Sequence, residues 1–300
     1  MKVENQIQEK AGQIEKLIRE FLPEEIGYQK TVFEAMNYAV NAGGKRIRPM
    51  LMWETAKVFG GTRQELIGPF MAAIEMIHTY SLIHDDLPAL DNDDYRRGRL
   101  TTHKVYGEAM AILAGDGLLN YAYETAAKAV SQAGPWELEK VAQALCVLAR
   151  KPGIYGMIGG QVVDVEKSGQ PLDLDTLKFI YTNKTSALIQ CAMMIGAILA
   201  GAGKEQIDGV EKAADAIGIA FQIQDDILDV SGTTQTLGKP VGSDAKNEKT
   251  TWVTLVGMDA AAEQVEELSY KALDILEEYE VSERNPFLKE LIRWLIHREK

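Results

Sequence analysis

Cysteine and histidine are scarce in this 300-residue chain: two cysteines, Cys146 and Cys191, and four histidines. Two thiols cannot build a disulfide framework or a four-thiolate metal site, and four imidazoles leave little for histidine-rich metal chemistry. An excess of positive charge is missing as well. Lys and Arg number 32 against 44 Asp and Glu, a net charge of −12. That excludes a broad nucleic-acid surface but not a small anion held by local cations. The most apolar stretch, CAMMIGAILAGAG at 191–203, is 13 residues long, too short to span a bilayer. The first twenty residues are polar and interspersed with acids, unlike a signal or basic transit peptide. The expectation is a soluble, cytoplasmic protein, not an integral membrane protein. No GxxxxGK[ST] phosphate loop and no GxSxG elbow occurs. Valine-rich strands alternating with helices are also lacking, which removes a doubly wound α/β fold.

What is present is helical periodicity over a chain that is 46% hydrophobic. Ile7, Ile14, Leu17, Ile18 and Phe21 recur at spacings near three and four. Further helices are expected over roughly 30–41, 49–59, 63–86, 104–131, 136–168, 174–201, 205–231, 249–257, 260–281 and 285–299. Pro49 fits a helical start. Several segments exceed the usual globular helix length, which predicts one large all-α bundle, a single domain over 1–300. No fixed-period repeat and no Pro- or Ser-rich linker divides it. The polar loops at 87–102 and 232–248 are too short to be linkers and are the places to look for function.

Two acidic clusters stand out. HDDLPALDNDDYRRGR at 84–99 holds Asp85, Asp86, Asp91, Asp93 and Asp94 ahead of Arg96, Arg97 and Arg99. FQIQDDILDV at 221–230 holds Asp225 and Asp229 four apart, on one helix face, with Asp226 about 100° away. Carboxylates inside an apolar run are costly, and like charges four apart repel. A divalent cation or a basic ligand system relieves both penalties, and oxygen-only donors suit Mg²⁺. The plainer alternatives are a solvated helix face for the second cluster and an acidic surface loop for the first. Asp85 and Asp91 are not in helical phase, so Pro88 must end the helix and let Asp91 fold back. Basic side chains are spread among these acids: Lys45, Arg46, Arg48, Arg96, Arg97, Lys184, Lys239 and Lys249. Together they suit a polyphosphate bound partly through metal, with the two acidic clusters as two sides of one cleft.

The ordered set GGKRIRP (43–49), HDDLPALDNDDYRRG (84–98), GGQVVD (159–164), NKT (183–185), FQIQDDILD (221–229), LGK (237–239) and EKTT (248–251) resembles the trans-isoprenyl diphosphate synthase, or polyprenyl synthetase, family, in its bacterial farnesyl-forming branch. The resemblance implies an all-α isoprenoid synthase fold around a deep central cavity, a homodimer, and no nucleic-acid partner. The reaction it implies is Mg²⁺-dependent head-to-tail condensation of dimethylallyl and then geranyl diphosphate with isopentenyl diphosphate, giving (2E,6E)-farnesyl diphosphate and diphosphate. Three Mg²⁺ ions with bound diphosphate are expected, and Mn²⁺ is an alternative metal. On that resemblance the metal is held by Asp85, Asp86 and Asp91 and by Asp225, Asp226 and Asp229. Arg96, Lys184, Lys239 and Lys249 contact the allylic diphosphate. Lys45, Arg48, His78 and Arg97 hold isopentenyl diphosphate. Lys184, Thr185 and Gln222 act near the reacting carbon.

Chain length is expected to be set by Tyr80 and Ser81, five and four residues before Asp85, or roughly 6–8 Å along the helix. The aromatic at Tyr80 and the extra Pro88-Ala89 resemble farnesyl-forming members. A geranylgeranyl diphosphate synthase would use the same charged groups with a deeper cavity. An HD-type metal phosphohydrolase would use His84-Asp85, but would leave Asp225–Asp229, Arg96, Arg97 and Lys184 without a role. A non-enzymatic helical scaffold would leave every one of these charges without a role.

Overall fold

The computed structural model describes residues 3–231 and 250–296. The fold is all-α, with a single two-residue hairpin among the described residues. The chain packs as two compact units, each drawn from two stretches: Met1–Trp53 with Arg63–Leu148, and Glu54–Thr62 with Ala149–Lys300. Two of the three boundaries fall inside helices, α3 (Ile47–Val58) and α7 (Leu138–Arg150), and the third falls at Thr62–Arg63, in the short turn after α3. That is why no linker composition marks them.

In the first unit, α1 (Val3–Phe21) buries Ile7, Ile14, Leu17 and Ile18, as its spacing predicts. α2 covers Lys30–Val40. α4 (Gln64–Asp85) is apolar on nearly all sides and packs chiefly on α6 (Glu108–Gln132). The stripe Ala111, Ala114, Leu118, Ala122, Ala126 and Ala129 on α6 is fully buried and admits α4 closely. At Gly115 the approach is closest, since a Cβ there would stand 2.1 Å from Nε2 of His84.

In the second unit, α10 (Ala187–Ala200) is buried on every face except its last residue, and packs on α11 (Lys204–Ser231). Each Leu or Ile buried there contributes about 1.5–3 kcal/mol. α11 in turn packs on the Met258–Glu277 helix. Two helical stretches are long and apolar enough to cross a membrane, Gln64–Asp85 and Leu174–Ala200. Protein covers 83% and 78% of their apolar windows, so both are core helices.

Several boundaries differ from the periodicity. α3 begins at Ile47, placing Pro49 third rather than first. The 104–131 helix is broken at Gly107 (φ 83°), which separates α5 (Thr102–Tyr106) from α6. The 136–168 helix is two, α7 and α8 (Met157–Glu166), parted by turns over 151–156. The 174–201 helix contains a π-helical segment, Tyr181–Ser186, between α9 (Leu174–Ile180) and α10.

One local device occurs twice. Thr101 is the residue before the five-residue α5, without a side-chain capping bond, and α5 ends at Gly107 with φ 83° and ψ 160°. Thr251 caps the five-residue Trp252–Val256 helix, which ends at Gly257 with φ 86° and ψ 164°. Each is followed at once by a long helix. The two copies lie 150 residues apart, so no short-period scan finds them.

Candidate active site

The first acidic cluster sits where α4 ends. The helix stops at Asp85 and Asp86 is its C-cap. The chain then folds back, and the Asp91 amide donates to the Asp85 carbonyl at 2.8 Å. This is the reversal that Pro88 requires, and it brings the backbones of Asp85 and Asp91 together. Asp91 is exposed and Asp85 half-buried. Asp86 is turned inward at 3% exposure and accepts from Arg96 Nε at 2.6 Å. Burial pushes its carboxyl above the usual range, against the pull of Arg96. Burial draws Arg96 down, but the bond and charge of Asp86 leave its pKa raised. The structure therefore gives Asp86 a protein partner. Arg96 lies in a hairpin pairing Tyr95 with Leu100 and Arg96 with Arg99. Arg97 (φ 54°) and Gly98 (φ 74°) form its turn, the two left-handed residues that a tight hairpin needs.

The four groups expected at isopentenyl diphosphate all lie in this first unit. Lys45 is exposed, and Arg48 and His78 are half-buried. Burial, then the neighbouring Arg97, lowers Arg48 to about 10, while Glu75 raises it. Burial first, then Arg48, Arg97, Arg96 and Arg46 in turn, hold the His78 imidazole well below its usual pKa. The guanidinium groups around this imidazole make the neighbourhood cationic. Tyr80 is buried at 5% exposure, with its ring edge-on to His84 at 5.8 Å. Its hydroxyl is buried without a hydrogen-bond partner among the described residues. Ser81 Oγ donates to the His78 carbonyl at 2.9 Å.

The second cluster is on α11. Asp225 is half-buried, and Asp226 and Asp229 are buried. Asp226 takes the Tyr181 hydroxyl at 2.5 Å and the Trp252 amide at 2.8 Å on one oxygen. Its other oxygen faces Gln222 Nε2 at 3.5 Å. Thus Asp226, like Asp86, ties elements together. The π-helical segment carries Lys184 and Thr185. Lys184 Nζ pairs with Asp164 Oδ2 at 2.6 Å, and Thr185 Oγ1 donates to Gln222 Oε1 at 2.9 Å. Asp164, Tyr181, Lys184, Thr185, Gln222 and Asp226 line one pocket. Lys239 and Lys249 lie outside the described residues.

Among the described residues no three His, Cys, Asp or Glu side chains form a ready cluster for a metal ion. The donor set still fits Mg²⁺. That ion keeps waters and ligand phosphate oxygens, and needs one or two carboxylates rather than a full protein cage. Asp85, Asp86 and Asp91, and Asp225, Asp226 and Asp229, supply such carboxylates, and Asp86 and Asp226 also accept the protein hydrogen bonds given above.

Two residues at this site had no role in the sequence reading. Asp164 ends the GGQVVD stretch, and its spacing from Lys184 is not a local pattern. Tyr181 gave no signal, because its role depends on the π-helical turn.

A helical fold that gathers Arg48 and Arg97 around His78, and carries paired carboxylates near helix ends, suits a class of enzymes that bind diphosphate esters. Within it, the chain belongs to the polyprenyl synthetase family, whose model matches residues 29–283. Its chemistry is the head-to-tail prenyl transfer of that family. The chain is 43% identical over 272 residues to a chloroplastic geranylgeranyl pyrophosphate synthase of Catharanthus roseus, covering 89% of this chain and 74% of that protein. It is 46% identical over 233 residues to a farnesyl diphosphate synthase of Geobacillus stearothermophilus, covering 77% of each. The fold matches the apo crystal structure of an FPP/GFPP synthase from Zymomonas mobilis with a TM-score of 0.85, 33% identity and 98% coverage of both chains.

Proposed function

We propose that this chain condenses an allylic diphosphate with isopentenyl diphosphate, using Mg²⁺, to give an all-trans product of 15 or 20 carbons. The observation that carries the reading is the π-helical turn. It sets Lys184 and Thr185 beside Gln222 and the Asp226 anchor in one pocket. In the proposal Lys184, with Arg96, Lys239 and Lys249, neutralises charge on the departing diphosphate, and bound Mg²⁺ supplies further charge neutralisation to it. The bond from carbon 1 to the diphosphate oxygen breaks. The isopentenyl alkene forms the new carbon–carbon bond to that carbon, and the proton released passes to the departed diphosphate. Thr185 Oγ1 and Gln222 Oε1 present oxygens towards the developing cation. Lys45, Arg48, His78 and Arg97 hold isopentenyl diphosphate. A homodimer in the cytoplasm completes the proposal; the dimer rests on the family resemblance.

On product length, the twenty-carbon reading has the broader support from relatives. Among the relatives compared, five are described as geranylgeranyl synthases or their large subunits and two as farnesyl synthases. The fifteen-carbon reading rests on one observation of this chain, the buried ring of Tyr80 on α4. Purified protein supplied with labelled isopentenyl diphosphate and dimethylallyl, geranyl or farnesyl diphosphate separates them. Elongation of farnesyl diphosphate supports twenty carbons, and its refusal supports fifteen. Release of phosphate with no carbon–carbon bond formed would overturn both.

A further inference from the structure

The turn before α3 and the start of that helix carry three cations, Lys45, Arg46 and Arg48, and Arg46 alone of them is buried, at 4% exposure. Its backbone φ of 51° is left-handed, a conformation a long side chain keeps only when its surroundings enforce it. Here the enforcement is visible. Arg46 Nη1 donates to Glu75 Oε1 at 2.6 Å and Nη2 to the Val40 carbonyl at 2.7 Å. Glu75, at 2% exposure, lies on α4, three residues before His78. Glu15 stands 3.6 Å from Arg46 Nε, beyond hydrogen-bond reach. The turn is anchored at its other end by Arg97, which donates to the Gly43 carbonyl. Gly44 (φ 138°) makes room for that contact, since a Cβ there would lie 2.9 Å from Arg97 Cζ.

A buried ion pair is weak evidence for stability, because an apolar pair of similar volume serves as well. What this pair does fix is a conformation. It holds the residue between Lys45 and Arg48 in a strained state, and it places one carboxylate against Arg46, near the charges of Arg48 and Arg97.

We infer that Arg46 and Glu75 are positioning residues for the diphosphate of isopentenyl diphosphate: they touch no substrate, but set the turn that presents Lys45 and Arg48 and offset the repulsion among the guanidinium groups before the anion arrives. The inference rests on the proposed function. It assigns the pair to one substrate alone, so its effect must fall on one Michaelis constant.

The decisive variant is the double substitution Arg46→Met with Glu75→Leu, which removes both charges together. The expected result is a melting temperature near wild type, a KM for isopentenyl diphosphate raised about ten-fold, and an allylic KM within about two-fold. Glu75→Gln keeps an acceptor for Arg46 and restores part of the loss. An unchanged isopentenyl KM, or two constants rising together, overturns the inference. If the double variant does not fold, Glu75→Gln is judged by the same ratio of constants, where an unchanged ratio overturns it. Wild-type protein that joins no carbons would instead overturn the functional reading, and this inference with it.

Discussion

Tyr80 combines two facts that pull apart. Its ring is buried, and its hydroxyl is buried with no partner among the described residues. An unsatisfied hydroxyl costs about 1–3 kcal/mol, so packing alone is better served by Phe. Tyr80→Phe is therefore expected to leave product length unchanged and to raise the melting temperature by a few degrees. Tyr80→Ala removes the ring, and is expected to shift products by one isoprene unit or more and to cost roughly 3–5 kcal/mol in stability. Chromatography of the labelled products and a melting curve check both. Identical product lengths in wild type and Tyr80→Ala would remove Tyr80 from any part in chain length. At this scale the sequence was informative about identity and silent about occupancy. It named Asp86 and Asp226 alongside the other carboxylates, but nothing in HDD or QDD tells which acid turns inward.

The π-helical segment Tyr181–Ser186 is the element on which the proposed chemistry depends, and two glycines bound it. A Cβ on Gly160 of α8 would lie 2.3 Å from the Lys184 backbone nitrogen, and one on Gly218 of α11 would lie 2.4 Å from Ser186 Cβ. Gly160→Ala must push the segment away from α8. The expected cost is about 1–3 kcal/mol of stability and a fall in kcat of about ten-fold or more, as Lys184 loses its place against Asp164. Steady-state kinetics with a melting curve will show it, and wild-type kcat in a folded Gly160→Ala protein would refute the account. None of this was legible in the sequence. YTNKTS carries no propensity for a wider helical turn, and the glycine pair of GGQVVD does not say what packs against it. The outer starts and stops of most helices were legible to within a few residues, because they are set by Pro, Gly and Thr nearby in the chain, but the breaks at Gly107 and at 151–156 were not.

For the whole molecule, a net charge of −12 and two separate carboxylate clusters make binding of a diphosphate unfavourable without cations. Inorganic diphosphate with Mg²⁺ is therefore expected to raise the melting temperature by several degrees, since a ligand at 100 times its Kd contributes about 2.7 kcal/mol. Diphosphate with a chelator is expected to do far less. Thermal shift with and without EDTA measures this, and equal shifts in both would contradict the metal's part in binding. The same chelation is expected to abolish product formation.

Taken alone, the sequence determined the all-α class, the order of the helices and the set of charged residues, because periodicity and short motifs are local properties of the chain. The tertiary structure decided which distant protein groups those residues meet. Arg46 meets Glu75 across 29 residues, Asp164 meets Lys184 across 20, and Tyr181 meets Asp226 across 45. Such pairings are fixed by packing of helices distant in sequence, and neither helical period nor local spacing encodes them.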